Sequence, residues 1–115
     1  MITLEKLEAF GADTKTGLTR CVNKEDFYLR LVGKAAADFD SDKIKNAISA
    51  GDIKGAFEIA HSMKGVSANL ALDPITKPVS AITEELRGKS ETDFDFAPLL
   101  SELKEKENEL KALCL

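Results

Sequence analysis

The chain has one histidine, one tyrosine, no tryptophan, two cysteines and three prolines, and these scarcities exclude several kinds of protein at once. Cys21 and Cys114 stand 93 positions apart with no other ligand type beside either, so they form neither a disulfide framework nor a zinc signature. A lone histidine excludes a His-rich metal site. No apolar run approaches the roughly 18 residues that a membrane-spanning helix needs. The first fifteen residues include Glu5 and Glu8 and lack the apolar core of a signal peptide. Cys114, being penultimate, does not fit a prenylation box. Lysine and arginine are dispersed in a chain of net charge −4, whereas binding to phosphate backbones needs a concentrated basic face. Neither nucleic acid nor membrane is an expected partner, and the expectation is a soluble cytoplasmic protein.

What is present points to helix. Valine occurs four times, while leucine, alanine, lysine and glutamate are abundant, a composition that favours helix over sheet. With 43% hydrophobic and 31% charged residues in 115, the chain is expected to be one ordered domain over residues 1–115 with a single modest core. Leu4, Leu7, Ala9 and Phe10 open a short amphipathic segment that Gly11 ends, and a second short piece runs from about Asp13 to Cys21. Asn23 is the expected N-cap of the first long helix, whose apolar positions are Phe27, Tyr28, Leu31, Val32, Ala35 and Phe39. Ser41 or Asp40 caps a brief helix through Ile44, Ala47 and Ile48, after which Gly51 supplies a left-handed stop and Asp52 the next cap. A helix over roughly 52–70 follows.

Asp73-Pro74 has the form of an N-cap and first helical residue, although Pro78 is expected to distort the first turn or delay the start. Val79, Ile82 and Leu86 mark that helix, which ends at Arg87-Gly88. The last helix carries the stripe Phe96, Leu99, Leu100, Leu103, Leu110 and Leu113, with a charged face that is most simply solvated. The predicted fold class is all-α: an antiparallel four-helix bundle with short N-terminal helical segments.

One helix has a face that the core does not explain. On the segment DIKGAFEIAHSMKGVSANLAL, Ile53, Ala56, Phe57, Ile59, Ala60, Met63, Val66, Ser67 and Leu70 fall into one stripe, and His61 lies roughly 140° from its centre. His61 is therefore expected to face solvent, with Lys54, Glu58, Gly65 and Ala68 around it. An exposed histidine is usually an ordinary surface residue, a lysine three positions later is common, and Met63 is best read as packing. Gly65 is harder to dismiss, because glycine inside a helix costs about 1 kcal/mol relative to alanine. Here it clears the surface one turn beyond the imidazole, and Ala68 keeps the next turn low. A reachable imidazole, a cation at Lys64 and a shallow surface suit a partner protein.

The segment AHSMKGVSANLAL resembles the signature of histidine-containing phosphotransfer (HPt) domains, HxxKG followed by small residues and a hydrophobic position. His61, Lys64 and Gly65 match it, then Ser67, Ala68 and Leu70. Upstream, Gly17, Leu18 and Arg20 resemble the turn before the family's first long helix, and AISAGDIKGAFEIAHSMKG has the family's short helix and glycine break. The family often has glycine where Ala71 stands, and Cys21 replaces a more usual large apolar residue.

The resemblance implies a phosphorelay intermediate. His61 is the implied phosphoacceptor, taking a phosphoryl group from an aspartyl-phosphate receiver domain and passing it to a response regulator. Lys64 offsets the phosphate charge, and Glu58 is one candidate for orienting the ring. Gly65, Ala68 and Glu58 belong to the implied docking surface, with Thr83 and Arg87 as candidates from the following helix. The implied partners are response regulator receiver domains and a sensor or hybrid histidine kinase. No cofactor is implied for this chain, since Mg2+ would sit on the receiver. Without a Gly-rich nucleotide loop it is expected to carry phosphate as a monomer, with no ATP binding and no autokinase activity. The rival reading is a helical adaptor that binds a receiver domain without accepting phosphate. A purely structural bundle leaves Gly65 unexplained, and the sugar-transport phosphocarriers are mixed α/β proteins, whereas this chain has no strand pattern.

Overall fold

In a computed structural model that describes residues 1–115, the chain folds into seven helices and no strand. They are α1 (Leu4–Phe10), α2 (Thr14–Arg20), α3 (Glu25–Asp38), α4 (Asp42–Ser49), α5 (Ile53–Asn69), α6 (Asp73–Leu86) and α7 (Ala97–Leu113). The long helices α3, α5, α6 and α7 form the bundle. α6 packs against both α5 and α7, α7 also meets α3, and the short α4 lies on α5. One core joins them. Tyr28 and Val32 of α3, Ile44 of α4, Ile75, Val79 and Ile82 of α6, and Leu103 and Leu110 of α7 have no accessible surface. Each large aliphatic among them contributes about 1.5–3 kcal/mol by leaving water.

Helix ends follow local chemistry in several places. Asp13 and Asp52 accept the backbone N–H of Thr16 and Gly55 at 3.1 and 2.9 Å, each satisfying one of the donors that a helix start leaves free. Gly51 adopts φ +78° between α4 and α5, a left-handed turn that other residues take only at a cost. Gly11, at φ +113°, ends α1 where a β-carbon would come within 2.9 Å of the Pro74 ring.

Four expectations need correction. Asn23 does not cap α3: Lys24 holds that position without a side-chain bond. Val22 and Asn23 instead take φ +50° and +58°, a left-handed pair that reverses the chain after α2. Phe27 is 42% exposed rather than a core residue, because Tyr28 and Val32 occupy the inward face. Leu72, not Asp73, is the N-cap of α6, which places Asp73 and Pro74 inside the first turn. Pro78 neither delays nor ends α6. Lying in the second turn, it forfeits one N–H bond and packs its ring inward among the buried residues.

Ser41 occupies the N-cap of α4, yet its hydroxyl makes no cap bond. Asp40 Oδ1 accepts the Asp42 N–H at 3.1 Å. The Ser41 N–H goes to Glu107 Oε1 of α7 at 2.6 Å. Glu107 is 1% exposed, and its other oxygen meets Lys104 Nζ at 3.3 Å. A buried carboxylate from α7 thus serves the start of α4, where the helix dipole favours negative charge.

Candidate functional site: the outer face of α5

Helix α5 buries Ile53, Ala56, Ala60, Met63 and Ser67 and is pinned at its C-terminal end by groups from the N-terminal region. The Arg20 guanidinium donates to the Ala68 carbonyl, the Tyr28 hydroxyl to Leu70 O at 2.8 Å, and the Asp13 N–H to Ala71 O at 3.0 Å. The donors to Leu70 and Ala71 take up carbonyls that the end of a helix leaves unpaired, while the Ala68 oxygen also accepts the Ala71 N–H at 3.0 Å. Through Asp13 and Arg20, α2 and its N-cap, together with Tyr28 of α3, fix the end of the helix that carries the histidine. Ala71 itself sits at φ +57°, the left-handed conformation for which glycine is the easier residue.

The imidazole of His61 is exposed on the opposite side of α5, as its angular position predicts, with Ser62 and Gly65 exposed beside it. A β-carbon built at Gly65 would meet nothing within 4 Å. Glycine there serves no packing need of this chain.

On the α6 side the ring has an aromatic neighbour. Phe57, one turn earlier, stacks on it with centroids 5.5 Å apart and planes 12° from parallel. The Arg87 guanidinium carbon lies 5.2 Å from the centre of the Phe57 ring, within cation–π range. Arg87 also donates to both oxygens of Glu84, Nη2 to Oε1 at 3.1 Å and Nε to Oε2 at 3.4 Å. Lys64 Nζ approaches the same Glu84 Oε1 at 3.8 Å. The hydrogen bond from Arg87, then its charge, and then the cation of Lys64 hold the Glu84 carboxyl below the usual carboxylate range. Lys64 and Arg87 therefore share one carboxylate beside the stacked pair.

On the α3 side the surface is open. Gly65 and Val66 line a groove of about 570 Å³ with Leu31, Lys34 and Asp38. Glu58 and Ser62 line a second hollow of about 500 Å³ with Asp38 and Lys43. Val66, expected in the core stripe, is 42% exposed, because it faces these grooves and not the interior.

Of the residues singled out from sequence, His61, Lys64 and Gly65 come together on one stretch of surface. Glu58 lies on the flank toward α3 and α4, and the ring's packing partner is Phe57. Ala68 is half-buried and tied to Arg20 through its carbonyl. Arg87 reaches the site through Phe57 and Glu84. Thr83 does not: it has no accessible surface and its hydroxyl donates to Val79 O at 2.7 Å within α6, so it cannot line a docking face. Sequence reasoning missed Phe57 and Glu84. The four-residue spacing from Phe57 to His61, and the three-residue spacing from Glu84 to Arg87, are the helical intervals at which side chains meet.

A family model for the Hpt domain matches residues 34–113, from the second half of α3 to the end of α7. The chain belongs to the Hpt domain family, and its role is phosphotransfer in two-component signalling. Members are phosphocarrier modules rather than kinases and work with receiver and kinase domains in phosphorelays. The likeness of Gly17, Leu18 and Arg20 to the family's N-terminal turn falls outside the matched residues. No curated protein and no solved structure matches the chain at a significant level. No helix is long and apolar enough to cross a membrane.

Proposed function

We propose that His61 is the phosphoryl carrier of this Hpt domain, accepting the group from the aspartyl phosphate of a receiver domain and surrendering it to a response regulator. The observation that carries this is the pairing of an exposed imidazole with a glycine one turn on that no contact in the chain requires. The unprotonated ring nitrogen attacks phosphorus with its lone pair, and the P–O bond to the aspartate breaks. The carboxylate leaves with the bonding pair, while the proton on the other ring nitrogen stays in place. The imidazole is also a competent leaving group, so the same step runs in reverse. Phosphoryl transfer needs mainly positioning and charge neutralisation. Phe57 supplies part of the first by stacking on the ring, and Lys64 supplies part of the second.

Docking of the receiver uses the level surface at Gly65 and Ala68 and the groove toward α3, in a small contact that permits release. The whole of 1–115 acts as one domain, since Leu7, Ala12 and Cys21 share the core of the long helices. We place it in the cytoplasm, as a monomer.

The test is transfer from receiver domains loaded with labelled phosphoryl group to the parent and to His61→Gln. Label should reach the parent alone, in an acid-labile and base-stable linkage, and the variant should keep the parental helical spectrum. Binding to a receiver without transfer would move the assignment to the silent adaptor.

A further inference from the structure

We infer that Glu84 tunes how tightly the site holds its phosphoryl group, by competing with that group for Lys64. The inference rests on His61 being the acceptor. Lys64 is the cation three residues from the imidazole, but its ammonium is already engaged at 3.8 Å by Glu84 Oε1. That carboxylate is not a freely swinging surface group. Two bonds from Arg87 hold it, and Arg87 is braced in turn over Phe57, the ring that stacks on His61.

When a phosphoryl group of about −1.5 to −2 charge forms on the imidazole, Lys64 has two anionic partners within reach. Glu84 is the intramolecular one, held ionised by its neighbours. Its presence weakens the hold of Lys64 on the phosphoryl group, so the carrier releases as well as accepts. A relay intermediate needs that balance, because a cation committed wholly to phosphate would turn the carrier into a sink. Arg87 is the positioning residue for Glu84, and Glu84 acts on the phosphoryl group only through Lys64.

The experiment compares four proteins: the parent, Glu84→Gln, Lys64→Gln and the double variant. Each is phosphorylated with phosphoramidate, which needs no partner protein, and the phosphoryl group is titrated by phosphorus NMR. Glu84 and Lys64 are surface groups on helices, so all four should fold alike by circular dichroism. Exposed ion pairs of this kind are worth roughly 0.2–1 kcal/mol, equivalent to about a 1.4- to fivefold change in an equilibrium constant. Glu84→Gln should raise the acidity constant of the phosphoryl group by about that factor and lengthen the life of the phosphohistidine. Lys64→Gln should lower the constant, and adding Glu84→Gln to it should change little further. An equal effect of Glu84→Gln with and without Lys64, or no effect in either background, overturns the competition while leaving His61 as the acceptor. Failure of the parent to form any phosphohistidine at His61 overturns the acceptor assignment, and this inference with it.

Discussion

Gly65 and Gly33 make a matched pair that separates stability from docking. Both lie inside helices, and a β-carbon at either meets nothing within 4 Å. Alanine at either position should therefore stabilise the fold by about 1 kcal/mol, the difference between the two residues in a helix interior, with no steric cost to offset it. In a domain of this size that raises the midpoint of thermal unfolding by about 4 °C. The functional outcomes should diverge. Gly33 lies about 100–160° round α3 from Leu31, Lys34 and Asp38, the residues that line the groove beside Gly65. Gly33→Ala should therefore transfer phosphate at the parental rate. Gly65→Gln keeps a good helix former but raises a long side chain one turn from the imidazole. A substitution at the centre of a contact costs upward of about 1 kcal/mol, so transfer from a receiver domain should slow by about fivefold or more. Phosphorylation by phosphoramidate, which is too small to need the docking surface, should persist in Gly65→Gln. Parental transfer rates from a receiver in Gly65→Gln would refute the claim that the surface is kept low for a partner. Equal loss with the small donor would show that the side chain acts on the ring itself.

Two further outcomes concern the frame that holds α5. Burial, followed by the charges of Cys21, Asp13 and Asp73, pushes the Tyr28 hydroxyl from 10.0 up to about 12. The unfolded chain thus loses this proton first; stability is intact below pH 10 and falls between pH 10 and 12 by about 1.4 kcal/mol per pH unit. Urea unfolding of Tyr28→Phe over the same range should lack that component, since the lysine titrations are common to both proteins. Replacing Glu107 by leucine leaves the buried Ser41 N–H without its 2.6 Å acceptor and should cost about 2–3 kcal/mol by urea unfolding. Glu107→Gln retains an acceptor oxygen and should cost less than half as much; equal losses in the two variants would mean that charge, not the cap to α4, is what the site needs.

The features legible in the sequence are those set by residues close together along the chain. The solvent-facing position of His61 follows from a 100° step along α5, and the stops at Gly11 and Gly51 follow from glycine's access to positive φ. Asp52 was readable as a cap because its carboxylate reaches an N–H only three residues on. The caps that failed are those whose backbone does not take the extended conformation that a capping side chain needs. Asn23 carries the right side chain for a cap, but its backbone is needed at φ +58° to turn the chain. Ser41 is in place, but its backbone is helical at φ −66° and ψ −20°, and the N–H groups of Lys43 and Ile44 go to the Asp40 and Ser41 carbonyls instead of its hydroxyl.

The same division runs through the site. His61, Lys64 and Gly65 lie within five residues on one helix and form a local pattern. Glu84 and Arg87 reach it from α6, and nothing local to α5 reveals that a carboxylate stands against Lys64. Phe57 packs against the core as its place in the stripe predicts, but it also meets His61 and Arg87, a second role that only the approach of α6 reveals. On the proposed reading, an acceptor and its cation are written into one turn of α5, while the groups that moderate them come from α6. Phosphoryl affinity is then adjustable on α6 without disturbing the face of α5 offered to a receiver.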